Sequence, residues 1–264
     1  MRRRHGPRAD VAGTTIAPVA GVTTHQSSDH RRFGDRHAAG VVLASRLQQF
    51  AGRTDVVVLA LPRGGVPVGY EVARALKAPL DVFVVRQLGV PGHAELAMAA
   101  LASGGINVFN EGVLKWFRVP RATLEAVTRN ELLELQRRER AYRGDRPLVA
   151  VAGRVVIIVD EGLATGSSMR AAVLAVRRLQ PARIVVAVPV GARDTCDALR
   201  EIADDVVCAS TPNHFTAIGL WYEDFSQTTD DEVRQLLAAH NAERDTSETS
   251  IVVTSAGKRS RAHL

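Results

Sequence analysis

Three short runs of branched aliphatic residues constrain this chain more than any other feature: 55–61 (DVVVLAL), 154–159 (RVVIIV) and 183–189 (RIVVAVP). None of them alternates apolar with polar residues. A strand of that kind has no face for water, so it belongs inside a sheet covered on both sides. Outside the runs the apolar residues recur at helical spacing, as with Ala39, Val42, Leu43, Leu47 and Phe50 in 36–50. Further helices are predicted over 66–76, 124–143, 168–179, 194–202 and 233–240, and further strands over 81–85 and 205–209. This alternation defines an α/β fold, a mostly parallel sheet flanked by helices.

The patterned part runs over 31–242 and reads as one domain. The flanking stretches 1–30 and 243–264 carry no apolar period and are predicted to be disordered. Residues 1–36 hold seven Arg against three Asp, most of the chain's net charge of +6. Without interleaved aromatics or a helical period, this basic arm reads as a solvated tail, and a nucleic-acid partner is not expected. No apolar run reaches 18 residues, so neither a transmembrane helix nor a membrane partner is expected. The basic start, MRRRHGPRAD, lacks the apolar stretch of a secretory signal. The two cysteines, Cys196 and Cys208, are too few for a disulfide scaffold and read as core residues rather than metal ligands. A reducing, cytoplasmic setting is expected.

In open α/β sheets, ligands bind beyond the carboxyl ends of the strands. The most chemically loaded end is VVIIVDEGLATGSSM, 155–169. A hydrophobic strand delivers adjacent carboxylates, Asp160 and Glu161. A loop of Gly162, Leu163, Ala164, Thr165, Gly166, Ser167 and Ser168 leads into a helix. Backbone N–H groups in such a loop, backed by a helix N-terminus, cradle a phosphate, and the three hydroxyls add donors. Paired carboxylates just before the cradle suit sugar hydroxyls and an Mg²⁺ shell. The loop is neither a Walker A motif, since its lysine is missing, nor G-x-G-x-x-G.

These residues closely resemble the PRPP-binding signature of the type I phosphoribosyltransferase family (PRPP, 5-phosphoribosyl 1-pyrophosphate). Residues 58–69 (VLALPRGGVPVG) resemble the family's pyrophosphate loop, while 84–98 (VVRQLGVPGHAELAM) and 219–233 (GLWYEDFSQTTDDEV) resemble a bacterial subgroup. The resemblance covers about 33–240. It implies the family's mostly parallel sheet with a small hood, and PRPP with Mg²⁺ as ligands.

Residue by residue, the resemblance implies that Asp160 and Glu161 hold the ribose hydroxyls and the metal. Residues 163–168 would bind the 5′-phosphate, and Arg63, Gly64 and Gly65 the pyrophosphate. A non-proline cis peptide is expected in that last loop, at Arg63–Gly64. Arg86 would pair with pyrophosphate oxygens, with Gln87 where the family often has Lys. His93 and Glu95 lie in a stretch that reads as a closing lid, and His93 is a candidate proton donor. Phe215, Trp221 and Tyr222 are candidates to stack on a planar acceptor, with packing of a C-terminal lobe as the other reading.

The implied activity is transfer of a 5-phosphoribosyl group to a nucleobase-like acceptor with release of pyrophosphate. Ala164 stands where members acting on 6-oxopurines usually have Asp, which argues against that substrate class. A non-catalytic PRPP- or nucleotide-sensing regulator is the alternative. A homodimer stays open as the assembly.

Overall fold

The computed structural model describes residues 32–259. Five strands form a parallel sheet in the order β2-β1-β6-β7-β8: β1 Val56–Ala60, β2 Leu80–Val82, β6 Val155–Val159, β7 Arg183–Val190 and β8 Asp205–Ser210. Every residue of β1 and β6 is buried, as unpatterned apolar strands require. Alternate residues serve opposite cores. Val56, Val58 and Ala60 pack towards α1 Arg36–Ser45, α2 Gly65–Leu76, α4 Arg121–Arg143 and α7 Asp230–Arg259. Val57 and Leu59 pack towards α5 Ser167–Arg177 and α6 Arg193–Leu199. The architecture is the expected parallel sheet flanked by helices.

The expected strand 81–85 is divided between two sheets. After β2 the chain leaves the parallel sheet, and β3 Val85–Val90 opens an antiparallel sheet with β4 His93–Ala102 and β5 Ile106–Phe109. The stretch read as a closing lid is a hairpin, irregular near Gly89 and turned at Pro91–Gly92. Its alanines hid it from a search for β-branched runs. A short helix, α3 Glu111–Trp116, capped by the Asn110 side chain, leads from it towards α4.

Under β2, Arg143 is buried with its guanidinium 3.6 Å from Asp81 and also paired with Glu139. Burial raises the Asp81 carboxyl above its ordinary value, against the pull of Arg143. The last helix, α7, extends well past the predicted 233–240. Residues 243–259 of the expected tail are helical, anchored where Tyr70 donates to Glu243 at 2.9 Å and Arg244 to the Lys77 carbonyl at 3.4 Å. Polar contacts of this kind leave no apolar period to read. The N-terminal tail expected over 1–30 lies outside the described residues. Among the described residues no helix is long and apolar enough to cross a membrane.

Candidate active site

The carboxyl ends of β1 and β6 are neighbours in the sheet, so the two loops that follow them meet. Leu61 N–H donates to Val159 O at 2.9 Å and carries the pairing one residue beyond β1. Gly64 and Gly65 then press against the acidic pair. A Cβ on Gly65 would lie 2.8 Å from Val159 O, and one on Gly64 would overlap the Glu161 carboxylate. Only glycine lets the loop approach this closely. The non-proline cis peptide is Pro62–Arg63, one bond before the position expected.

Asp160 accepts from the Glu161 N–H at 2.9 Å through Oδ1. Burial pushes its carboxyl up to about 7, and the Glu161 charge adds to the rise while Arg36 opposes it. Glu161 is held by Arg36, whose Nε donates to Oε2 at 2.5 Å. The same guanidinium donates to Ser226 O at 2.6 Å and lies 4.1 Å from the Phe225 ring centroid. Arg36 and Glu161 are 125 residues apart in the chain, and a lone Arg in the first turn of a helix carries no sequence signal of this role.

The loop 160–166 joins β6 to α5 and is tied to the end of β7. Leu163 N–H donates to Val190 O, and Ala192 N–H to Leu163 O, both at 2.9 Å. Leu163 is thus a core residue with a committed amide, which removes it from the positions able to meet a phosphate. Ala164, Thr165, Ser167 and Ser168 are exposed. Thr195 Oγ1 donates to Ala164 O at 2.7 Å and props the loop from α6. Gly166, at φ +70°, turns the chain into α5. The helix starts at Ser167, one residue earlier than predicted. A cavity of about 430 Å³ between α5 and the second sheet reaches this loop at Ser167, with Arg170 and Gln87 on its wall. Arg170 also borders a smaller cavity beside Thr165 and Asp194. This cation, one turn into the helix, was not singled out in the sequence.

The remaining candidates have partners of their own. Arg63 lies 3.8 Å from Asp230, which also accepts from Tyr142 Oη at 2.8 Å. Burial, reinforced by that carboxylate, pushes the Tyr142 hydroxyl up to about 12. Arg86 is on β3, paired with Glu131 of α4 at 2.8 Å through Nε. His93 opens β4 with its ring centroid 5.1 Å from that of Phe117.

Tyr222 was expected to stack on an acceptor, but it is buried between Phe33 and Phe225, at centroid distances of 5.6 and 5.1 Å. Its hydroxyl donates to Glu161 O at 2.6 Å. Only 3% exposed and neighboured by two other rings, Tyr222 packs in the C-terminal lobe. Phe215 and Trp221 pack more loosely in the same cluster. This hood meets the acidic pair where Ile218 lies over Gly162.

Cys196 and Cys208, expected as separate core residues, are disulfide-bonded to each other across α6 and β8. Spacing alone did not reveal the pairing, because it depends on where α6 lies against the last strand. Among the described residues, no group of three or more His, Cys, Asp or Glu side chains is placed to hold a metal ion.

A parallel sheet with an acid–acid–hydroxyl loop at the end of β6, a Gly-Gly loop beside it and a hood above is the type I phosphoribosyltransferase fold. The chain belongs to the phosphoribosyl transferase domain family, whose model matches residues 36–223. It is 46% identical over 220 residues, 83% of its length, to two proteins from separate strains of Mycobacterium tuberculosis, each named "Putative phosphoribosyl transferase". The match takes in 49% of each, so the chain spans about half the length of these curated relatives. The crystal structure of TT1426 from Thermus thermophilus is similar at a TM-score of 0.71 and 42% identity, covering 78% of this chain and 98% of that one.

Proposed function

We propose that this protein is a phosphoribosyltransferase that binds PRPP with Mg²⁺ and passes its 5-phosphoribosyl group to a nucleobase-like acceptor, releasing pyrophosphate. The observation that carries this reading is the contact between the acidic pair and Gly64–Gly65, with the exposed Thr165–Ser168 loop one turn away. One ligand with a phosphate, a ribose and a pyrophosphate would meet all three at once. The 5′-phosphate would lie on the hydroxyls of Thr165, Ser167 and Ser168 and the start of α5. The ribose hydroxyls would face Asp160 and Glu161, and the pyrophosphate would lie along the Gly64–Gly65 backbone.

In the reaction the bond from ribose C1 to the pyrophosphate oxygen breaks, that oxygen keeps the electron pair, and the acceptor nitrogen bonds to C1 while its N–H proton leaves to the pyrophosphate or to water. The protein's part is positioning and charge stabilisation. Arg63 and Arg86 would turn from Asp230 and Glu131 to the departing pyrophosphate.

Two adjacent carboxylates, one already paired with Arg36, do not make an all-protein cage. They fit Mg²⁺, which is held by one or two carboxylates together with water and substrate oxygens. Bound there, the ion would neutralise charge on the leaving pyrophosphate. Ala164 offers no proton acceptor or donor, so hypoxanthine and guanine are not expected as acceptors.

Calorimetry with PRPP–Mg²⁺, followed by pyrophosphate release in the presence of each common nucleobase, tests the reading. Absence of PRPP binding refutes it, and turnover of hypoxanthine or guanine refutes the exclusion based on Ala164.

A further inference from the structure

Arg36 is a buried cation that joins two parts of the site: it meets the Glu161 carboxylate of the acidic pair on one side, and the Ser226 carbonyl with the Phe225 and Tyr222 rings of the hood on the other. The residues just before it are tied to the hood by backbone bonds. Phe33 N–H donates to Trp221 O at 2.8 Å, Glu223 N–H to Phe33 O at 2.8 Å and Asp224 N–H to Gly34 O at 2.9 Å. Asp35 caps α1 by accepting from Ala38 N–H at 2.7 Å. The N-terminal segment thus lies as a strip along the hood and directs one guanidinium at the second acid of the pair. That acid lies against both Arg36 and Gly64.

We propose that Arg36 is a positioning residue that acts as the resident counter-cation of Glu161. It keeps a bare divalent metal off the acidic pair, presents polyanionic PRPP with a pair carrying less negative charge, and couples the pair to the hood. The proposal rests on the transferase reading for its PRPP arm only. Two adjacent carboxylates without Arg36 would attract a free divalent cation and repel an anion more strongly, because charges this close and this enclosed are poorly screened. The two ligands should therefore respond to loss of Arg36 with opposite signs. A merely structural arginine would weaken both or neither.

The test uses the full chain. Mn²⁺ alone is titrated by electron paramagnetic resonance, PRPP–Mg²⁺ by calorimetry, and hydrogen exchange follows the amides of 222–226. Arg36→Met is expected to bind Mn²⁺ at least fivefold more tightly than the wild type, to bind PRPP–Mg²⁺ at least fivefold more weakly, and to exchange hood amides faster. Arg36→Lys keeps the charge but cannot reach Glu161 and Ser226 O together. It is expected to keep Mn²⁺ excluded while its hood amides still exchange faster than in the wild type.

Unchanged or weakened Mn²⁺ binding by folded Arg36→Met overturns the counter-cation role. Should that variant not fold, Mn²⁺ binding by Arg36→Lys at least fivefold tighter than the wild type does the same. Wild-type hood protection in Arg36→Lys overturns the coupling. A wild-type protein that binds no PRPP refutes the transferase reading instead, and leaves the Mn²⁺ comparison standing.

Discussion

At the ends of β1 and β6, the two loops assigned to PRPP are set against each other and against the sheet largely through backbone. Gly64 and Gly65 abut the acidic pair, and the loop at Leu163 is tied to Val190 and Ala192. On the antiparallel sheet, Arg86 is held by a side chain, Glu131, and His93 lies against Phe117 at the hairpin turn. The loops of the parallel sheet therefore have their backbone set in advance, while Arg63 beside them and Arg86 on the second sheet must leave carboxylate partners to meet the proposed ligand. Backbone placement costs little when a ligand arrives, whereas a half-exposed ion pair has to be broken, though such pairs are individually weak.

The largest expected effect sharpens the first half of this comparison, because preforming the acidic pair should cost stability. The Asp160 carboxyl is pushed up to about 7 from an ordinary 3.8. Below the ordinary value it is protonated both folded and unfolded, and burial then carries no charge penalty. Above about 7 it is ionised in both states, and the fold bears the full penalty. At about 1.4 kcal/mol per unit, Asp160→Asn should stabilise the metal-free protein by up to about 4 kcal/mol at pH 8. The gain should shrink as pH falls through 7 and vanish near pH 4. Urea unfolding of both proteins at pH 8, 6 and 4 checks this, and a pH-independent difference would break the argument.

Next in size is the cradle itself. Asp160→Asn with Glu161→Gln should weaken PRPP–Mg²⁺ binding by tenfold or more in calorimetry, with the fold intact. Undiminished binding would mean that the ribose is held elsewhere.

A smaller change probes the second sheet. Glu131→Gln frees Arg86 from its partner, so pyrophosphate should bind up to about fivefold more tightly, the worth of one half-exposed pair. Arg86→Met should reverse the sign. Identical pyrophosphate affinity in both variants would remove Arg86 from the site.

The smallest effect concerns the flanks. A chain of residues 31–242 should retain PRPP binding and melt within a few degrees of the full chain. It loses the Glu243 and Arg244 contacts to α2, while among the described residues every buried core residue lies within 31–242. A drop of more than about 10 °C by calorimetry, beyond the shift that a kcal/mol or two brings in a domain of this size, would make α7 beyond residue 242 part of the fold's support.

Local pattern was enough for β1, β6 and β7, because a strand covered on both faces has to be apolar at every position, and that can be read without knowing its neighbours. The cradle was legible for the same reason, since strand, acids, hydroxyl loop and helix are contiguous from 155 to 169. The hairpin was not, because alanines in β4 carry no strand preference and are held there by pairing with β3 and β5. Tyr222 reads equally well as a stacking platform or as packing. Only its burial beside the Phe33 and Phe225 rings decided between them.

By itself, then, the sequence determined the parallel sheet and the order acid, acid, phosphate loop, because both are properties of contiguous residues. Tertiary structure alone decided which charges meet. Arg36 with Glu161, Arg86 with Glu131 and Arg63 with Asp230 are pairs distant in the chain. Coulomb attraction depends on separation in space, and chain order does not reveal that separation until the fold has set it.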